Sequence, residues 1–174
     1  NRLLDDGAGL LGMAYGEAVV DRFQRDALNQ PGVSRIFLKV GVNDIVHPNC
    51  ESMKGEARPV TAQEMIAGYE QLIQQAHERG IEVYLFTRTA WKGYTRNVLG
   101  SDDVEWTAEI DQMRQDINAW IRSSENPADG WIDLDFMCTD ASASELKSEY
   151  TTDGAHFTAL GQQTVVDAIP LDYF

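Results

Sequence analysis

Two short stretches hold residue types suited to hydrolytic chemistry. Near the end of the chain, Asp153-Gly154-Ala155-His156 sets a carboxylate and an imidazole three residues apart, just before a Gly-punctuated apolar run. An imidazole can take the proton of a hydroxyl nucleophile. A carboxylate beside it fixes the ring tautomer and stabilises the imidazolium. Far upstream, Gly41-Val42-Asn43-Asp44 follows an apolar run. An Asn at the exit of a buried strand can aim its amide N–H at a developing oxyanion. Gly41 permits tight backbone geometry, and Asp44 can brace the turn through backbone N–H groups. Each stretch also has a plain structural reading. Asp153 can cap a final helix that His156 begins, and Asn43-Asp44 can be an ordinary turn.

A nucleophile is harder to find. Ser34, Ser52, Ser101, Ser123, Ser124, Ser142, Ser144 and Ser148 all sit in loop-like or cap-like contexts. Ser52 is the best placed of them, since its loop follows Asn43, but nothing around it forms an elbow that would expose the hydroxyl. Trp91 and Tyr94 follow an apolar run and can wall an acyl or sugar pocket, or Trp91 can pack on a neighbouring helix. His47 fits a solvated loop or the pocket. His77 suits a helix end, where its charge complements the dipole. The histidines show no ligand spacing of the H-x-x-x-H kind, so no metal or cofactor is expected.

The elements that must position these residues alternate. A helix is expected over residues 10–28, with Val19, Val20, Phe23 and Ala27 on one face and Asn29-Gln30-Pro31-Gly32 as its stop. The run from Arg35 to Val40 suits a buried parallel strand, and a loop is expected over residues 43–60. Thr61-Ala62-Gln63-Glu64 is a capping box for a helix reaching Arg79, with Met65, Tyr69, Leu72 and Ala76 buried and Gly80 as its left-handed stop. A strand is expected over residues 82–87 and a loop over 91–103. The next helix should bury Trp106, Ile110, Met113, Ile117 and Trp120. A short strand at residues 131–134 and a helix at about 159–169 complete the pattern. Strands separated by helices imply a parallel sheet covered on both faces, with ligands bound beyond the strands' carboxyl ends.

Composition agrees with one globular domain. The 174 residues are 43% hydrophobic and 24% charged. No apolar run approaches the roughly 18 residues that span a bilayer. The first residues, from Asn1 to Asp6, are not a signal peptide, and the chain does not open with Met. Asp and Glu number 28 against 14 Lys and Arg, a formal charge of −14. That balance argues against nucleic acid and favours neutral substrates. Cys50 and Cys138 are too few for a disulfide-built scaffold. They are read as two free thiols, with a single bridge as the alternative.

Taken together and in this order, the two stretches resemble the SGNH hydrolases, also called GDSL-type esterases and lipases. Gly41-Val42-Asn43-Asp44 matches the family's third block, Gly-x-Asn-Asp, and Asp153-Gly154-Ala155-His156 its last, Asp-x-x-His. Residues 1–7 resemble the segment just after the second block's glycine. Phe23-Gln24-Arg25-Asp26 and Gln30-Pro31-Gly32-Val33 resemble a member's helix and strand lead-in. The resemblance implies a three-layer αβα sandwich of flavodoxin-like form and metal-free hydrolysis of carboxylic esters. It assigns Asn43 as oxyanion donor, His156 as general base and acid, and Asp153 as its partner; beside these, Gly41, Asp44, Trp91 and Tyr94 are expected near the substrate. The Gly-Asp-Ser block is absent, the second block's glycine would precede residue 1, and Phe157 stands where members often have Pro. The expected reading is therefore the carboxy-terminal majority of a small-ester hydrolase whose Ser lies outside this chain. Its first strand should have an open edge, to be covered by an amino-terminal segment or a second copy. The rival readings are a non-catalytic binding fragment of the same fold and a flavodoxin-like nucleotide domain, the latter without a phosphate loop to support it.

Overall fold

The computed structural model describes residues 2–7, 9, 15–53, 55–97 and 101–174. Its centre is a three-stranded sheet built from β1 (Arg35–Leu38), β2 (Glu82–Phe86) and β5 (Gly130–Ile132), in the order β1-β2-β5. Both pairings are parallel, with Ile36 opposite Val83 and Leu85 opposite Trp131. The three strands match the expected ones, each somewhat shorter than its apolar run. The third ends early because Asp133 caps α5 (Leu134–Cys138), its side chain accepting the Phe136 N–H.

β2 shows why the fold has three layers. Its side chains alternate between faces, as strand geometry requires. Val83 and Leu85 enter a large core with residues of α1 (Val19–Phe23), α3 (Ala62–His77) and α4 (Ala108–Ile121). Tyr84 and Phe86 face the other way, into a smaller cluster with Ile132, Leu134 and partly buried residues of α6 (Ala159–Asp167) and the carboxyl-terminal turn. Tyr84 stacks on Tyr173 at 4.2 Å and on Phe37 at 5.2 Å. β2 is thus buried on both faces. β1 lies at the edge of the sheet, with Arg35 exposed and Ile36 and Phe37 half-buried.

α3 forms as its sequence dictates. Thr61 accepts the Glu64 N–H while the Glu64 carboxylate accepts the Thr61 N–H, satisfying two otherwise orphan donors. Met65, Tyr69, Leu72 and Ala76 are buried. His77 meets Asp129 at 2.8 Å, so its partner is a carboxylate as well as the helix end.

Other expectations require correction. Of the first expected helix, residues 10–14 lie outside the described residues. Of the remainder, residues 16–18 are not helical, and residues 19–28 form α1 and a π-helical turn, Gln24–Leu28. The expected loop over residues 43–60 opens with a short helix, α2 (Val42–Val46), followed by 3-10 turns at His47–Asn49 and Glu51–Met53. The expected loop over residues 91–103 holds an antiparallel pair, β3 (Thr95–Asn97) and β4 (Ser101–Asp103). These strands are polar and only three residues long, so they carry no apolar alternation.

α4 buries the expected stripe in part and adds polar residues that its apolar spacing does not predict, while Trp106 precedes the helix and is half-buried. Ile117 and Trp120 are buried as expected, while Ile110 and Met113 are only partly so. Asp111, Arg114 and Asn118 are fully buried beside them. Arg114 pairs with Asp111 at 2.6 Å and with Asp135. Satisfied polar groups of this kind are tolerated inside and are invisible to a hydrophobic pattern. Cys50 and Cys138 are both buried and unbridged.

Candidate active site

The Asp153–His156 turn is shaped by its own backbone. Asp153 Oδ1 accepts the N–H groups of Ala155 at 2.9 Å and His156 at 2.8 Å. Its other oxygen, Oδ2, meets His156 Nδ1 at 2.6 Å. Burial of Asp153 opposes ionisation, but the backbone donors of His156 and Ala155, with the imidazole, outweigh it and bring its pKa down to about 2. An ionised Asp153 accepts a hydrogen bond from Nδ1–H, which leaves Nε2 as the nitrogen free to act as a base. The His156 side chain is 76% exposed. Gly154 sits at φ +89°, where an added Cβ would meet the Tyr94 nitrogen at 2.8 Å. The cap of α6 is not Asp153. Thr158 fills that place, accepting the Gly161 N–H.

The Gly41–Asp44 turn is shaped from a distance. Gly41 has φ +110°, and a Cβ there would lie 2.1 Å from the Tyr69 hydroxyl. That hydroxyl donates to the Val40 carbonyl at 2.8 Å. The backbone then enters α2, placing Asn43 in its first turn. Asp44 is buried, with its carboxylate accepting the N–H groups of Leu3 at 2.7 Å and Leu4 at 3.0 Å. Desolvation raises its pKa, against the pull of those donors and of Arg2.

The two turns meet at a cavity of about 530 Å³, within the range typical of small-molecule sites. Asn43 and His156 both line it, as do Lys39, Thr89, Gln162 and an apolar set from Val42, Val46, Trp91, Tyr94, Phe157, Val165 and Val166. The position beyond the sheet's carboxyl ends is where the alternating pattern places it. Trp91 is 1% exposed within the large core and also lines the cavity. Tyr94 is half-buried and presents its ring edge-on to His156 at 5.7 Å between centroids.

Two expected substrate neighbours lie elsewhere. Among the described lining residues neither Gly41 nor Asp44 appears. Gly41 borders an adjoining groove of about 460 Å³ along β1, and Asp44 anchors the Leu3–Leu4 segment. His47, expected in solvent or in the pocket, is buried with its ring 4.6 Å from that of Tyr15. Ser52 lies by Cys50 Sγ, at 3.5 Å, and no serine lines the cavity among the described residues. Lys39 and Gln162 are lining residues that sequence spacing did not single out. Among the described residues, no group of three or more His, Cys, Asp or Glu is placed to hold a metal ion. No helix among them is long and apolar enough to cross a membrane.

Residues 5–164 match the GDSL-like Lipase/Acylhydrolase family, and the chain belongs to that family. The fold is shared with solved structures of low identity. A protein from Bacteroides fragilis named as an acylhydrolase is similar at 18% identity and a TM-score of 0.65, covering 88% of this chain and 67% of that one. A GDSL-like lipase from Bacteroides thetaiotaomicron aligns at 16% identity and a TM-score of 0.61, over 88% of this chain and 68% of its own. A lipolytic protein of the G-D-S-L family, so named, from Desulfitobacterium hafniense gives 14% identity and a TM-score of 0.58, over 87% and 73%. No curated protein matches. Family membership makes ester hydrolysis the general activity of the class to which this chain belongs.

Proposed function

We propose that these residues form the base and oxyanion side of a Ser-His-Asp ester hydrolase, acting on a small acyl group carried by an alcohol or sugar. The observation that carries this reading is the 2.6 Å contact between His156 Nδ1 and Asp153, made at a cavity that Asn43 also lines. In the proposed reaction, His156 Nε2 takes the proton of a serine hydroxyl as its oxygen adds to the ester carbonyl. The Asn43 amide donates to the resulting oxyanion. His156 then returns the proton to the departing alcohol, and water releases the acyl group by the same steps in reverse order. The apolar wall of Val42, Val46, Trp91 and Val165 supports an acyl chain as the buried half.

The serine is proposed to come from outside these 174 residues. The absence of any serine from the cavity lining, among the described residues, supports this. So does β1, which pairs only with β2 among the described strands and lies along the groove that ends at Gly41 and Asn43. A strand added to its other edge, from an amino-terminal segment or a second copy, would reach that rim. The same absence favours a second reading, in which the chain alone binds esters without turning them over.

Mass spectrometry of the folded sample, native and then denaturing, tests the source of the serine. A partner peptide or second copy beside the 19.4 kDa chain supports strand addition, and a well-folded lone monomer overturns it. For the chemistry, the test is hydrolysis of 4-nitrophenyl butyrate by a sample containing the serine segment. His156→Ala should lower kcat by about 10⁴-fold or more, and Asn43→Ala by about 10²–10³. Turnover that survives His156→Ala unchanged would sink the mechanism.

A further inference from the structure

Lys39 stands out against the charge of the chain. With 28 acidic residues against 14 Lys and Arg, the chain carries a formal charge of −14. The cavity departs from that balance: among its described lining residues there is no Asp or Glu, and Lys39 is the one Lys or Arg. Lys39 also differs from its neighbours in what it pairs with. Arg35, at the start of the same strand, meets Glu82 at 2.8 Å, and Lys92 meets Glu145 at 3.7 Å. Lys39 has no carboxylate partner among the described residues. Its Nζ lies instead 5.3 Å from the centroid of the Phe157 ring, itself part of the cavity wall. A ring face attracts an ammonium without using its hydrogen-bond donors, so those donors stay available to a ligand.

We propose that Lys39 is a specificity-determining residue that selects esters bearing an anionic group, with the ammonium binding that group while the scissile carbonyl lies between Asn43 and His156. The inference rests on the reading of this cavity as the substrate site. It reverses the preference for neutral substrates that net charge alone suggests. Net charge acts over long distances, and at physiological salt its field is screened over about 8 Å. A contact inside an apolar-walled cavity is screened far less. Partial desolvation of its ammonium, then repulsion from Arg88, lowers the Lys39 pKa, with Cys138 acting the other way, although the residue as a whole is exposed. A bound anion would offset both unfavourable effects.

The test is equilibrium binding, so it does not depend on turnover. Monomethyl adipate carries an ester and a carboxylate, and dimethyl adipate is its neutral counterpart. Both are titrated by two-dimensional NMR into the chain carrying His156→Ala, which removes the proposed base and protects the esters. Monomethyl adipate should bind at least fivefold more tightly and shift Val46 and Val165. Adding Lys39→Gln should abolish the preference and leave dimethyl adipate binding unchanged, whereas Lys39→Arg should keep it. Lys39 is exposed, so these variants should retain the parent's dispersed spectrum. Equal binding of the two esters, or a preference that survives Lys39→Gln, overturns the proposal. Should the preference hold while the serine-containing sample fails to hydrolyse esters, only the catalytic reading falls.

Discussion

The two turns that meet at the cavity are built in opposite ways. In the Asp153–His156 turn, the carboxylate is held by donors two and three residues away. In the Gly41–Asp44 turn, the glycine is boxed in by Tyr69 and Met65, and the aspartate is bonded 41 and 40 residues back along the chain. The first turn fixes its reactive groups locally, and its distant contacts are with one loop, where the Thr95 N–H donates to the Asp153 carbonyl at 3.2 Å and Tyr94 packs on Gly154. A turn held from a distance is part of the fold, and its Asn43 is placed as accurately as the core allows. The cavity thus joins His156, on a turn held largely by its own residues, to Asn43, on a turn held from a distance.

This contrast can be broken most severely at Gly41. Gly41→Ala puts a side chain into a left-handed conformation and into the Tyr69 hydroxyl at once. It should cost about 3 kcal/mol or more, read as a large fall in the urea midpoint. A loss under about 1 kcal/mol would mean the distant packing gives way. Asp44→Ala comes next. It strips acceptors from two backbone N–H groups, one of them on the fully buried Leu3, and should cost about 1–3 kcal/mol in the same assay. Amide exchange should speed up first at Leu3 and Leu4. His156→Ala should change stability by no more than about 0.5 kcal/mol, since the ring is exposed. A larger loss would show that the local turn also supports the fold.

Acid supplies the smallest and most selective perturbation. The folded pKa of Asp153 is depressed to about 2 from an ordinary 3.8. Its ionised form is therefore favoured by folding, and the associated stability is fully present above the ordinary value and lost as pH falls through the folded one. Between about pH 4 and pH 2, the His156 and Ala155 amide resonances should move, with Asp153→Asn removing that titration. Asp44 responds in the opposite sense, because its raised pKa makes its protonated form the one favoured by folding. A titration of the His156 amide that stays unchanged in Asp153→Asn would assign the effect to another group.

What could be read from the sequence divides along the same line. Asp153 and His156 were legible because the residues that hold them are their neighbours. α3 was legible because Thr61 and Glu64 announce its start. Asn43 could be found as a motif, but the contacts that fix it involve Tyr69 and Leu3, and no spacing rule connects those positions. Asp44 was therefore placed with the substrate when it serves the amino-terminal segment. The polar residues in the buried face of α4 were missed for a related reason. Arg114 and Asn118 are interior because Asp111, Asp135 and the Arg88 backbone satisfy them, and such satisfaction emerges only in three dimensions. Lys39 escaped notice because a lone lysine after a strand carries no pattern at all.

The two buried thiols give the molecule a pair of chemical clocks. Cys50 lies beyond α2, with its backbone paired to that of Val104, and Cys138 ends α5, where burial pushes its thiol pKa up. Neither sulfur can meet a reagent until its own surroundings open, so each labelling rate would time the opening of one half of the protein.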